Sequence, residues 1–374
     1  MRRVLLLLAV VVAVCSLPTG ALASPPPVHA SAYLVEDART GAVLASYHAH
    51  AHVPIASITK LMTVLIALER HKLTDVVTAD PRAAIVGEST INLRPGERMT
   101  VHDLLEGALV QSANDAAAAL ALSISPDFTS FAQLMNAKAR ALGLRDTHFI
   151  RPDGLDVPGE YSSAADVTKL ARVVMRNRFV RQTVRQETAT ISGGRTLYTW
   201  DDLLSIFPQT FGVKTGHTAQ AGWCQVAAAR GRGATIYATL LGSPSRDVRN
   251  ADLLSLLRWG LAQFRVVPLV QQGRTYATVA LPYGRAPLAL VARQPLIGPA
   301  RIDHPLTEKV VARAATSLPV RAGEVLGHVQ VWDGNRLIAA RTLVASRTVN
   351  KPSVVRRLGW YAGRTLHHLG HLFS

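Results

Sequence analysis

Apolar and polar positions divide the chain into four textures. Residues 4–15 are almost wholly apolar behind Arg2 and Arg3, and the run breaks at Pro18 and Gly20 before Ala21-Leu22-Ala23. A basic start, a short apolar run and a small-x-small triplet predict a cleaved export signal over 1–23, with Ser24 as the mature start. The run is too short for the roughly 20 apolar residues of a membrane-spanning helix. Residues 30–36 and 42–47 then read as two strands around the turn Asp37-Ala38-Arg39-Thr40-Gly41, a hairpin. Ser57 opens a segment in which Ile58, Leu61, Met62, Leu65, Ile66 and Leu68 leave little polar surface. Such a helix is expected at the centre of a fold.

Helical spacing recurs over 101–111, 115–124, 127–142 and 163–178, the last with Ser163 placed to cap and Asp166 in the first turn. Strand character returns at 213–214, 224–229 and 235–241, the last two joined by Arg230-Gly231-Arg232-Gly233, and a helix is expected over 247–264. From Val266 short β-branched runs at 276–281, 288–291, 309–313 and 328–331 alternate with Pro and Gly, which predicts a small all-β domain over 266–349. In the final stretch Val354, Val355, Leu358, Tyr361, Leu366, Leu369 and Phe373 keep helical spacing, with Arg356, Arg357, Arg364, His367, His368 and His371 between them. A basic amphipathic helix over 350–374 is expected, suited to lying on an anionic membrane surface with Trp360 near the headgroups.

Composition agrees with a folded, exported chain. With 374 residues, 48% hydrophobic and 18% charged, there is material for two domains, or one large and one small. Lysine and arginine total 41 against 25 acidic residues; without the leader's two arginines the balance is 39 against 25, or +14. That excess favours anionic partners such as membrane lipids or acidic wall polymers. Aromatics are not interleaved with basic residues as in single-strand binders, so no nucleic acid is expected. Loss of the leader removes Cys15, leaving Cys224 as the one cysteine and excluding an intrachain disulfide. Cys224 reads as a packing residue, no base being evident beside it. His48, His50 and His52 alternate without a His-Glu-x-x-His pattern, so neither metal nor cofactor is expected.

Three short motifs occur in order: Ser57-Ile58-Thr59-Lys60, Ser112-Ala113-Asn114 and Lys214-Thr215-Gly216. Ser57 and Lys60, three apart at a helix start, share a face, so the amine can reach the hydroxyl. Serine needs a neighbouring base, and a buried lysine can be one. Only seven lysines stand against 34 arginines, and two of the seven fall in these motifs. Arginine cannot deprotonate, so lysine is used where arginine will not serve. Ser112 and Asn114 fall at a break between helices, where a hydroxyl can relay a proton and an amide hold a carbonyl, although a plain capping serine fits equally well. Lys214, on or beside a strand, supplies a second cation able to depress Lys60 by repulsion. Gly216 permits close backbone approach, and the N–H groups of His217 and Ser57 can form an oxyanion hole.

In order and spacing these motifs resemble the serine penicillin-binding proteins and β-lactamases. Lys214-Thr215-Gly216-His217-Thr218, Ala221-Gly222-Trp223-Cys224, Gly242-Ser243-Pro244-Ser245-Arg246, Pro152-Asp153-Gly154-Leu155 and Ser162-Ser163-Ala164-Ala165-Asp166 are similar to the low-molecular-weight D-alanyl-D-alanine carboxypeptidases. The resemblance implies a mixed α/β (α+β) fold, with an antiparallel sheet flanked by helices and a helical subdomain over 24–265, followed by the small all-β domain. It implies Ser57 as acylated nucleophile, Lys60 as base, and Ser112 and Asn114 as proton relay and substrate contact. Lys214, Thr215 and Arg249 would meet the substrate's terminal carboxylate, with Arg246 close enough to replace Arg249.

The implied substrate is a peptidoglycan stem peptide, with β-lactams as covalent inhibitors. The implied place is the bacterial periplasm or envelope, peripheral on the outer face of the cytoplasmic membrane. The chain departs from the family pattern at Asp153, where His is frequent, and at Trp200-Asp201-Asp202, where Asn is usual; both bear on substrate preference. The rivals are a β-lactamase, for which Glu160 lacks the downstream Asn partner, a D,D-endopeptidase, and a catalytically silent envelope-binding protein.

Overall fold

A computed structural model of the chain describes residues 9–15, 24–315 and 317–370, with side chains over 24–315 and 317–362. The cleavage point expected at Ala23 and the end of the amphipathic tail lie outside the described residues. Contacts divide the chain into two units, Ala23–Ala262 and a second comprising Gln263 onward with the N-terminal strand.

In chain order the N-terminal strand is β1 (Ala9–Cys15), and the first unit begins with the expected hairpin, β2 (Ala32–Asp37) and β3 (Val43–Tyr47). A short antiparallel pair and a small hairpin absent from the sequence reading follow, β4 (Val76–Thr78) with β5 (Arg98–Thr100) and β6 (Thr188–Ile191) with β7 (Arg195–Tyr198). Strands of three or four residues are too short to show alternation. β8 (Thr210–Thr218), β9 (Gly222–Gly231) and β10 (Ala234–Ser243) then complete a five-stranded antiparallel sheet of order β3-β2-β10-β9-β8. The strand expected over 213–214 is thus nine residues long. Its polar Lys214, Thr215 and Thr218 hid the pattern because they are buried by partners rather than by hydrophobicity.

The helices are α1 (Lys60–Arg70), α2 (Pro81–Ala84), α3 (Val101–Glu106), α4 (Asn114–Leu122), α5 (Phe128–Leu142), α6 (Ala164–Val174), α7 (Arg178–Thr183), α8 (Leu203–Ile206) and α9 (Arg246–Ala262). The helix expected over 163–178 ends at Val174, because the Asn177 side chain accepts from Phe179 and Val180 N–H and starts α7 anew. Ser163 caps α6 through Asp166 N–H, as its position suggested. Helices α6 and α9 cover opposite faces of the sheet. Thr239 of β10 bonds Thr168 of α6 at 2.6 Å, whereas Ile236, an odd number of positions away, packs against Gly260 of α9. The first core runs through α1, in which Leu61, Met62 and Val64 are fully buried, as the all-round apolar pattern predicted.

The second unit is all-β with one helix. Its strands are β11 (Phe264–Val270), β12 (Thr275–Val279), β13 (Leu288–Ala292), β14 (Leu296–Arg301), β15 (Leu306–Ala312), β16 (Val325–Asp333) and β17 (Arg336–Ala345). They form a six-stranded sheet of order β1-β15-β16-β17-β13-β12 and a β11-β14 pair. β1 is the apolar run read above as part of an export leader. Its β-branched sequence AVVVAVC pairs antiparallel with the edge strand β15, from Ala9↔Ala312 to Cys15↔Leu306. Helix α10 (Val354–Gly370) follows, and among the described residues no helix is long and apolar enough to cross a membrane.

Candidate active site

The first motif does not begin in an α-helix. Ala56–Thr59 form a 3₁₀ turn that hands over to α1 at Lys60. At three residues per turn, side chains three apart eclipse, so Lys60 stands directly over Ser57. Its Nζ lies 2.7 Å from Ser57 Oγ, 2.6 Å from Asn114 Oδ1 and 2.7 Å from the carbonyl oxygen of Asp153. Orientation of the Asn114 amide follows from its other end, where Nδ2 donates to Gly87 O at 2.9 Å.

Ser112 terminates a π-helical turn (Gly107–Gln111) and adopts a left-handed conformation, φ 63. Its side chain caps no helix: Ala113 is the residue that precedes α4, and Ser112 Oγ accepts from Lys214 Nζ at 2.8 Å. Lys214 also donates to Thr215 O at 2.8 Å. Strand β8 approaches the 3₁₀ turn because residue 216 has no side chain; a Cβ there would lie 2.8 Å from Ile55 O and 3.0 Å from Ser57 N. On the other flank a Cβ on Gly154 would sit 2.1 Å from Ala56 O. Pro152-Asp153-Gly154-Leu155 is therefore the floor beneath the turn.

A cleft of about 310 Å³ opens over these residues. Ser57, Ser112, Asn114, Thr215, Gly216, His217 and Arg249 line it, together with Glu88, Ser89, Trp200 and Trp223. Lys60 and Lys214 are fully buried beneath it. All nine site residues expected from the sequence are thus brought together. Arg249 is 1% exposed, and its guanidinium is held by Asn250 Oδ1, by Asp202 Oδ2 at 3.1 Å and over the Trp223 ring. Arg246 instead makes a two-pronged pair with Asp202 and does not line the cleft.

Burial lowers the Lys60 pKa to about 8, although Asp153 and other carboxylates oppose the shift. Desolvation is the main cause for both amines, Lys214 being lowered by burial first and by repulsion from Lys60 second. Cys224 is buried and its thiol is pushed up to about 12 by desolvation, consistent with packing.

Asp153 and Glu160 serve the floor rather than the cleft. Asp153 is fully buried, paired with Arg151 and accepting from Leu155 N–H, so its bearing is on the charge beneath Lys60 and not on the substrate. Both Glu160 oxygens are taken, by Thr59 Oγ1 and by the N–H groups of Ile150 and Arg151. His102, Asp103 and Glu106 form the one metal-capable cluster among the described residues, and none of them lines the cleft.

Sequence reasoning did not select Glu88, Ser89 or Trp223 as site residues, and it marked Trp200 only as part of a departure bearing on substrate preference. Trp223 could have been found, since it sits opposite His217 in the β8-β9 ladder and stacks on its ring at 4.1 Å. Trp200 bonds Gln111 O through Nε1. Glu88 and Ser89 carry no local signal, because tertiary bonds position their loop: Asp115 accepts from Ile91 and Leu93 N–H, and Asn114 N–H donates to Ser89 O.

A family model described as D-alanyl-D-alanine carboxypeptidase matches residues 19–245, more than half of the chain. The chain belongs to the D-alanyl-D-alanine carboxypeptidase family. It is a serine-type hydrolase of that class. A second model, the C-terminal domain of penicillin-binding protein 5, matches residues 264–351. The D-alanyl-D-alanine carboxypeptidase DacD of Salmonella typhimurium is 32% identical, with 90% of each chain covered. Among solved structures, penicillin-binding protein 5 of Haemophilus influenzae superposes with a TM-score of 0.64 at 26% identity, over 88% of this chain and all of the other. The Streptomyces K15 DD-transpeptidase gives 0.60 at 31% identity, covering 64% of this chain and all of that enzyme. The first of these structures thus covers most of the carboxypeptidase and the second about two thirds of it.

Proposed function

We propose that this carboxypeptidase works through Ser57 as nucleophile and Lys60 as base, on the terminal D-alanine of peptidoglycan stem peptides. The observation that carries the reading is the set of three groups around Lys60 Nζ. A neutral amine has two N–H donors and one lone pair. Asn114 Oδ1 and the Asp153 carbonyl can only accept, so they take the two donors, and the lone pair is left facing the Ser57 hydroxyl. A pKa near 8 makes that neutral form accessible at moderate pH.

Ser57 Oγ then attacks the carbonyl of the penultimate D-alanine while its proton passes to Lys60. The N–H groups of Ser57 and His217 receive the developing oxyanion, which the close seating of Gly216 on Ser57 N supports. Ser112 gives its hydroxyl proton to the leaving amine and is reprotonated by the proton that Lys60 took from Ser57, while Lys214 donates to its oxygen throughout. Lys214, Thr215 and Arg249 hold the terminal carboxylate; Arg249 Nη1 has no protein partner among the described residues. Water completes the cycle by hydrolysing the acyl-enzyme, and a β-lactam acylates the same serine.

The finer setting follows from the same reading: residues 1–23 direct export to the bacterial envelope, 24–265 form the peptidase, 266–349 the β domain, and 350–374 rest on the outer face of the cytoplasmic membrane. Exposed Val354, Val355, Leu358 and Tyr361 on α10, beside Arg356 and Arg357, support the last point. The test is to incubate wild type and Ser57→Ala with a labelled penicillin and a D-Ala-D-Ala pentapeptide. Wild type forms a mass adduct on Ser57 and releases D-alanine. Absence of both overturns the assignment, and fast penicillin turnover without D-alanine release replaces it with a β-lactamase.

A further inference from the structure

The start of β8 carries a second cleft, about 530 Å³, that the peptidase chemistry leaves unused. Arg178 and Arg181 reach it from α7 and Arg185 from the segment after it; Thr210 and Phe211 come from β8, and Arg230 from the end of β9. The backbone explains the convergence. Between the pairs Thr210↔Ala229 and Val213↔Ala227, β8 holds one residue more than β9, a bulge at which Gly212 takes φ +108. A Cβ on Gly212 would fall 2.6 Å from Val184 Cγ2, so the end of α7 seats on the bulge and carries Arg181 and Arg185 towards Arg230.

Eight arginines elsewhere, from Arg82 to Arg301, have carboxylate partners within 4 Å. Among the described residues the four in this cleft have none, like most of the remaining arginines, but these four line a single cleft. Two are positioned without being neutralised: Arg181 Nη1 donates to the carbonyls of Met175 and Arg176, and Arg230 donates to Thr235 Oγ1 while its guanidinium lies over the Phe211 ring at 5.8 Å. Gathering four unpaired cations costs repulsion that a bound anion would relieve. Thr210 also lines the cleft; it is 7% exposed, and its buried Oγ1 has no hydrogen-bond partner.

We propose that this cleft is a binding site for a phosphate group. Several guanidinium forks around one pocket match a ligand with three or four charged oxygens better than a single carboxylate. The phosphate can come from a soluble polyanion or from a lipid headgroup, and the test separates them. The purified protein and its Arg185→Gln, Arg230→Gln and double variants are titrated calorimetrically with sodium pyrophosphate at fixed ionic strength in chloride. In parallel they are floated with phosphatidylglycerol vesicles.

Wild type is expected to bind pyrophosphate at one site, weakening about tenfold per arginine removed, the scale of a charge-assisted hydrogen bond. Vesicle flotation lost in the same variants assigns the phosphate to a headgroup, and flotation unchanged with pyrophosphate binding lost assigns it to a soluble ligand. Penicillin labelling of each variant reports that the fold is intact. If wild type binds neither probe, or if the double variant binds both as wild type does, the proposal is wrong.

Discussion

The middle and the start of β8 lie beside cations of opposite kinds. At Lys214 the charge is an amine, fully buried, bonded to Ser112 and Thr215 and depressed in pKa. Near Thr210 the charges are guanidiniums, exposed and without carboxylates. Burial penalises the charged form, and only lysine can respond by giving up its proton. The interior of the strand therefore suits proton transfer, and its beginning presents permanent charge to solvent. In a chain so rich in arginine, where lysine sits tells more than how much positive charge there is.

That contrast can be broken experimentally, from the largest effect down. Ser57→Ala should abolish both the penicillin adduct and D-alanine release, read by intact mass and by amino-acid assay. Lys60→Arg keeps a cation but cannot supply a lone pair, so acylation should fall about 10²- to 10⁴-fold; a variant within threefold of wild type would remove Lys60 from the role of base. Arg249→Gln should raise the pentapeptide KM by about 10- to 100-fold, as loss of a charged hydrogen bond does, whereas Arg246→Gln should change it less than about threefold.

The acylation rate should rise with pH about tenfold per unit and level off near pH 8. The folded Lys60 pKa is lowered from 10.5 to about 8, and the neutral amine, the active form, grows as pH passes through that value. A flat profile from pH 6 to 9 would contradict it. Smallest of all, Arg185→Gln should leave acylation unchanged, since its side chain lies at the exposed start of the strand.

Much of the site was legible before the fold was known, and the reason is local. Ser57 with Lys60, and Ser112 with Asn114, are each fixed within one turn or break, so spacing alone carries their geometry. The 3₁₀ turn was not legible, because it depends on Gly154 and Gly216 pressing on residues 55–57 from distant segments. Glu88 and Ser89 were invisible for the same reason, being placed through Asn114 and Asp115. The sheet, the central helix and the β-rich second unit followed from periodicity. The short strand pairs and the pairing of β1 with β15 did not, since the former are below the length at which a period shows and the latter needs a free edge elsewhere in the chain.

Gly154 and Gly216 press on the nucleophile's turn from opposite sides, and this limits how the enzyme could escape an inhibitor. Any side chain at either position would drive the floor or the strand away from Ser57, disabling natural substrate and drug alike. Mutational routes to discrimination are therefore channelled to the rim, where Glu88 and Trp200 can change without moving the reacting atoms, whereas Trp223 supports both His217 and Arg249. Drug-resistant variants selected in the laboratory should accumulate there, and an inhibitor whose contacts stop at the turn and β8 would leave them little to work with.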